Sequence, residues 1–163
     1  MITLKIIEIK PFMEKLFKSN VFDDFEISNV EVSSLTDFKI TGTLNKKYLS
    51  SDEIEIIGNQ KLIQWNQIKD TVFHMIKGQK TPLYLKIIFS LSPDKKQTFI
   101  EHNNIDIINE QVNGLFINLK YDRTALTCTT GTSLQIFTKD KTLEQLWDKS
   151  VEKFFNKHNI LFE

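Results

Sequence analysis

The run VNGLFINLKYDRTALTCTTGTSLQIF, from Val112 to Phe137, decides the fold. Two stretches rich in β-branched and aromatic residues flank Asp122-Arg123-Thr124, which has turn composition. A hairpin is expected, with one strand from Leu115 to Tyr121 and a return strand from Leu126 to Phe137. Val112-Asn113-Gly114 leads into it and Ala125 closes the turn. On the strand period of two, Leu126, Cys128 and Thr130 share one face, so Cys128 is expected to point inward. Asn118, Lys120, Thr127 and Thr129 form an exposed polar face, with Arg123 at the tip. Gly131, inside Thr130-Gly131-Thr132, reads as a bulge or a close backbone approach.

Working outward, Phe25 and Ile27 alternate with polar residues, and Val30 and Val32 continue in the opposite phase. That phase change predicts a bulge near Asn29. A turn at Thr36-Asp37 and a return strand through Phe38, Ile40 and Leu44 complete a second hairpin containing Gly42. Ile2 to Ile9 has strand composition, and Pro11 suits the first residue of the helix that follows. Lys46 to Gln60 carries two signals. Ser50-x-x-Glu53 is a helix-start pattern, but Glu53-Ile54-Glu55-Ile56-Ile57 alternates, and a short edge strand is favoured. Lys61 to Lys77 is expected to be a helix capped by Gly78. Leu83 to Leu91 is apolar on both faces in places and is expected near the middle of a sheet. Ser92-Pro93-Asp94 starts a helix ending near His102. Thr142-x-x-Gln145 resembles a capping box for the last helix, whose Glu144, Asp148 and Glu152 form an acidic row with a basic row of Lys149, Lys153 and Lys157 beside it.

The order suggests a repeat. Leu4-Lys5-Ile6-Ile7 returns as Leu85-Lys86-Ile87-Ile88; Pro11 and Pro93 each precede a Phe by six residues; Thr-Gly-Thr occurs at 41–43 and 130–132; Trp65 and Trp147 mark two long helices. The fold class is α+β: an antiparallel sheet built from two long hairpins with amphipathic helices on one face. A β-α-β-β-α duplication, with halves 1–78 and 82–163 inside one domain, would place a pseudo-two-fold axis between the hairpins. Curved sheets of that kind occur in processivity clamps and TATA-binding saddles, an analogy of element order alone.

Composition narrows the classes. A chain of 163 residues with 40% hydrophobic content and 13 Phe can build one core. Its 21 basic and 21 acidic residues balance, whereas general nucleic-acid binders carry a basic excess. A single cysteine and no leader-like N-terminus point to a cytoplasmic setting. No apolar run reaches the ~18–20 residues of a membrane span.

Candidate chemistry is sparse. Cys128 has no local base and reads as a small buried hydrophobe. His74, His102 and His158 show no metal-ligand spacing. Asp23-Asp24 and Asp52-Glu53 read as solvated loop acids. No catalytic residue, metal or cofactor is assigned. The candidate binding residues are Arg123, Asn118, Lys120, Thr127, Thr129, Lys139 and Lys141.

The phrases Ile76-Lys77-Gly78-Gln79-Lys80-Thr81-Pro82-Leu83, Val112-Asn113-Gly114-Leu115-Phe116 and Leu126-Thr127-Cys128-Thr129-Thr130-Gly131-Thr132-Ser133-Leu134 resemble an uncharacterised family of single-domain proteins from clostridia and related Firmicutes. The resemblance spans nearly the whole chain. It implies a bacterial cytosolic, free-standing protein and brings no activity, ligand or catalytic residue. The leading expectation is a non-enzymatic binding or assembly protein using a sheet face or hairpin edge, with a homodimer or another protein as partner. A nucleic-acid contact through Arg123 and the lysines is one alternative. The other is an enzyme in which His102, Cys128 and His158 converge.

Overall fold

A computed structural model describes residues 1–163. Six strands make one antiparallel sheet: β1 (Thr3–Lys5), β2 (Glu26–Ser33), β3 (Asp37–Thr41), β4 (Tyr84–Ser90), β5 (Val112–Tyr121) and β6 (Leu126–Leu134). Their spatial order is β1-β6-β5-β4-β2-β3. The helices are α1 (Ile9–Lys18), α2 (Ser51–Ile57), α3 (Trp65–Ile76), α4 (Pro93–His102) and α5 (Thr142–Lys157). The α+β class and the two hairpins are as the sequence predicts, and β4 lies in the middle of the sheet.

The period of two builds the core. Leu85, Ile87 and Phe89 of β4 share a buried face with Leu115, Ile117 and Leu119 of β5, and with Val30 and Val32 of β2. A register shift between Ile27 and Asn29 lets Ile27 face inward as well, which explains the phase change in the sequence. Phe12, Leu16 and Phe17 of α1, Trp65 and Val72 of α3, and Trp147, Val151 and Phe155 of α5 complete the core. Phe22, in the loop after α1, sits at the hub, within 5.4–6.2 Å of Phe12, Phe25, Phe89 and Phe154 ring to ring.

Gly42 is where close approach is required. A Cβ there would stand 1.5 Å from the Ile27 carbonyl oxygen. Gly131 differs: it pairs in regular register with Phe116, and a Cβ would meet nothing closer than 3.5 Å. The expected bulge at Gly131 is therefore absent, and the irregularity of this hairpin falls between Val112 and Gly114. Gly114 lies beneath the Phe116 ring, which a Cβ would strike at 2.4 Å.

Several boundaries move. The edge strand expected within Lys46 to Gln60 is instead a 3₁₀ turn followed by α2. The Ser50–Glu53 capping box forms in both directions, at 3.3 and 2.7 Å, and satisfies two backbone N–H groups that a helix start leaves free. Residues 61–63 are extended, bridging Leu62 to Thr43, and α3 begins only at Trp65. α3 ends at Lys77 in extended backbone, so Gly78 is not its cap. The first strand covers only Thr3–Lys5, and Pro11 is the third rather than the first helical residue, where its missing N–H still removes no helical bond. The return strand ends at Leu134 rather than Phe137. At α5 no Thr142 capping box forms; the Asp140 carboxylate accepts the Thr142 N–H at 2.9 Å and its hydroxyl at 2.6 Å.

The element order repeats as expected apart from α2, but the strand placement does not. β4 pairs with both β2 and β5, so those two strands run parallel to each other. A two-fold axis normal to the sheet would reverse one of them. β1, the counterpart of β4, lies at the far edge against β6. The hairpins thus share one sheet, without the pseudo-two-fold axis.

A groove between α4 and α5

The two long helices of the C-terminal half do not close against each other. They meet edge-on through Phe99 and Trp147, with ring centroids 5.7 Å apart at 86°. Beside that contact a groove of about 620 Å³ opens through the helical layer. Its apolar lining is Phe25, Leu91, Phe99, Trp147, Val151 and Phe154, and it reaches Ile117 on the core face of the sheet.

Local sequence explains why the groove stays open. Trp147 Nε1 donates to the Phe116 carbonyl at 2.9 Å, which ties α5 to the sheet rather than to α4. Lys96 donates to the carbonyls of Asn109 and Val112, which ties α4 to the segment entering β5. Burial holds the Lys96 ammonium below its usual range. Neither anchor draws the two helices together.

The rim is cationic. Lys149, Lys153 and Lys157 line one wall at i, i+4 and i+8 of α5, about 12 Å of helix. Lys95 and His102 stand on the α4 side, and His158 follows α5 with its ring 4.7 Å from that of Phe154. Asp24 is the one carboxylate in the lining, and Lys95 already pairs with it at 2.8 Å. No carboxylate lies within 4.0 Å of the ammonium groups of Lys149, Lys153 or Lys157. Four lysines against one aspartate leave the lining at +3, in a chain whose formal net charge is zero.

The candidate residues from the sequence fall in three places. Asn118, Lys120, Thr127 and Thr129 do come together, on the open face of the sheet: Asn118 pairs with Thr129 and Lys120 with Thr127. The row through the first pair continues as Thr3, Thr129, Asn118, Ile88, Asn29 and Thr41. The neighbouring row is Lys5, Thr127, Lys120, Lys86, Glu31 and Lys39. Arg123 is at the hairpin tip, at φ 71°, with its guanidinium 3.4 Å from the Thr81 carbonyl. Asp122 holds that tip by accepting the Thr124 hydroxyl and the N–H groups of Thr124 and Ala125, bonds that keep its carboxyl below the usual range. Lys139 and Lys141 lie past the other end of β6, roughly 30 Å away along a nine-residue strand. Arg123 and these lysines therefore do not make one patch, because the hairpin holds them at opposite ends. Lys141 pairs with Glu144 at 3.1 Å.

His102 and His158 both line the groove, one on the α4 side and one after α5, but Cys128 does not join them. It is buried between Leu4 and Leu119 in the sheet register, and burial pushes its thiol well above the usual range. No three His, Cys, Asp or Glu side chains gather as a metal site would need. The signal for the groove was present in the sequence. Aligning Pro11 with Pro93 sets Lys95 where α1 has Met13, and Thr98 where α1 has Leu16. Both replacements face the groove.

One other buried group stands out. Glu26, 5% exposed, begins β2 opposite Ser90 and accepts no hydrogen bond on its carboxylate. Burial, with help from the charge of Asp94, pushes its carboxyl up to about 7.

Fold and groove together define an α+β protein with a slot of ligand size in its helical layer. The chain belongs to the Family of unknown function (DUF5721), whose family model matches residues 15–163. No curated protein and no solved structure matches it. No helix is long and apolar enough to cross a membrane.

Proposed function

We propose that this is a non-enzymatic binding protein that shelters the hydrocarbon part of a small ligand in the α4–α5 groove. The observation that carries the reading is a slot of about 620 Å³ with an aromatic and aliphatic floor that passes between two helices to Ile117. Pockets that enclose most of a small ligand fall in the range ~300–1,000 Å³, with mainly hydrophobic and aromatic linings. A cytoplasmic setting suits a chain whose one cysteine is buried and in no disulfide. Titration with the neutral dye Nile red tests the reading. Fluorescence should saturate at one dye per chain, and Ser150→Trp, which fills the groove, should abolish the signal while leaving the far-ultraviolet circular dichroism unchanged. Unsaturable binding, or binding that a folded Ser150→Trp variant retains, would sink it.

A second reading takes the open sheet face as a contact surface for an anionic partner, and the row holding Lys5, Lys120, Lys86 and Lys39 favours it. A single-stranded oligonucleotide bound there would lose affinity with salt at a log–log slope of about −0.7 per neutralised phosphate. Lys86→Gln with Lys120→Gln should lower that slope; an unchanged slope removes this face from consideration.

A further inference from the structure

We infer that the groove takes a single-chain amphiphile with an anionic head, the head seated against Lys149, Lys153 and Lys157; the inference rests on the proposed reading of the groove as a ligand site. Three like charges at i, i+4 and i+8 repel one another along a helix. Helices ordinarily relieve such rows with acids three or four residues away. Glu152, three residues after Lys149, makes no ion pair with it within 4.0 Å, and the lone acid of the lining, Asp24, is engaged with Lys95. The row therefore offers unneutralised positive charge beside an apolar slot, complementary to a molecule that joins a hydrocarbon chain to an anion.

The shape selects among anionic partners. An α-helix with its side chains is about 10–12 Å across. A slot whose far side is Ile117 of β5 lies between helices already joined by the Phe99–Trp147 contact, and a slim chain fills that depth where a helix would rest on the rim. A hydrocarbon tail against Phe25, Ile117 and Phe154 loses its contact with water. The lysine stems can extend along it while their ammonium groups meet the head. The occupant is thus a free amphiphile rather than the surface of a bilayer, since a bilayer cannot present a tail to a slot of this depth without releasing the molecule.

Calorimetric titration of the full chain with dodecanoate, dodecyl phosphate, 1-dodecanol and dodecyltrimethylammonium, each below its micellar concentration, tests the inference. The two anions should bind at least tenfold more tightly than the alcohol, and the cation more weakly still. Lys149→Gln/Lys153→Gln/Lys157→Gln should erase the preference for the anions while holding the alcohol affinity within about twofold. Equal binding of alcohol and anions would overturn the inference and leave the groove reading standing. Failure of all four ligands to bind would remove the groove reading itself. Binding of an acidic amphipathic peptide, or of intact anionic vesicles, that dodecanoate does not compete would also overturn it, assigning the cationic wall to a partner helix or to a membrane surface.

Discussion

The helix pairs α1–α3 and α4–α5 carry the same landmarks and pack differently. Each first helix has a Pro followed six residues later by a Phe, and each second helix carries a Trp. In the first pair Trp65 donates its indole N–H to the Leu16 carbonyl at 2.8 Å, locking α3 onto α1. Phe17 then packs on both Trp65 and Phe73, at 5.5 Å from each, and Lys69 adds an ion pair to Asp23 at 2.6 Å. In the second pair the Trp147 donor turns to the sheet. Met13 and Leu16 have as counterparts Lys95 and Thr98. One pair is closed by apolar contacts; the other keeps a gap edged by charge. The groove lies where the second half departs from the first.

Six substitutions break or sharpen this contrast. The largest effect is expected at the two Thr-Gly-Thr segments. Gly42→Ala forces a methyl into the Ile27 carbonyl and should cost about 3 kcal/mol or more, read as the shift in urea midpoint. Gly131→Ala meets only ordinary contacts and should stay within about 1 kcal/mol of the parent.

The tryptophans come next. Trp65→Phe leaves the Leu16 carbonyl without its donor in a closed core and should cost about 2–3 kcal/mol. Trp147→Phe also loses a bond, but beside a groove that water can enter, so about 1–2 kcal/mol is expected. Equal losses at the two positions would erase the distinction between the closed and open pairs.

Glu26 sits at the seam of the two halves, bridged to Gln64 before α3 and paired with Ser90 before α4. Its carboxyl titrates near the ordinary 4.5 in the unfolded chain and near 7 in the folded one, so the native state holds the extra proton between those values. Stability from this group is full below pH 4.5 and falls as the pH rises to 7. With allowance for solvent screening, the loss should be about 1–2 kcal/mol. Denaturation of Glu26→Gln at pH 5 and pH 8 should show the variant gaining on the parent at the higher pH; parallel behaviour at both would rule out a buried carboxylate as the cause.

The smallest effect is Thr98→Leu, which gives α4 the residue that α1 uses at the same place. The added apolar surface beside Phe99 and Trp147 should raise stability by about 0.5–1 kcal/mol, read as the shift in urea midpoint. An unchanged midpoint would show that the gap beside α4 gains nothing from the residue that closes α1.

The sequence made the hairpins legible because their alternation is strict and their partners lie next to them. The bulge near Asn29 shows as a phase change for the same reason. α2 runs against its pattern because Ile54 and Ile56 alternate by chance, and two capping bonds outweigh that alternation in a segment with no buried residue. The groove was harder to see. Its lining comes from the α1–β2 loop, α4, β5 and α5, and no spacing within one segment announces such a convergence. The Lys149, Lys153 and Lys157 row could be seen on one helix face, yet only the packing of α4 reveals that the row borders a cavity rather than open water.

The pairing of β1 has a consequence for how the chain is made. Thr3 pairs with Thr129 and Ile6 with Phe162, so the first strand has no partner until more than 120 further residues have been added. At ~5–20 residues per second, the ribosome needs about 6–25 s to extend from one end of the Thr3–Thr129 pair to the other. During that interval β2, β3, β4 and β5 can assemble with α1 and α3, while the N-terminal segment waits, tethered and unpaired. Docking of β1 is therefore among the last steps of biosynthetic folding, and a chain stalled before residue 129 would display that apolar segment to chaperones.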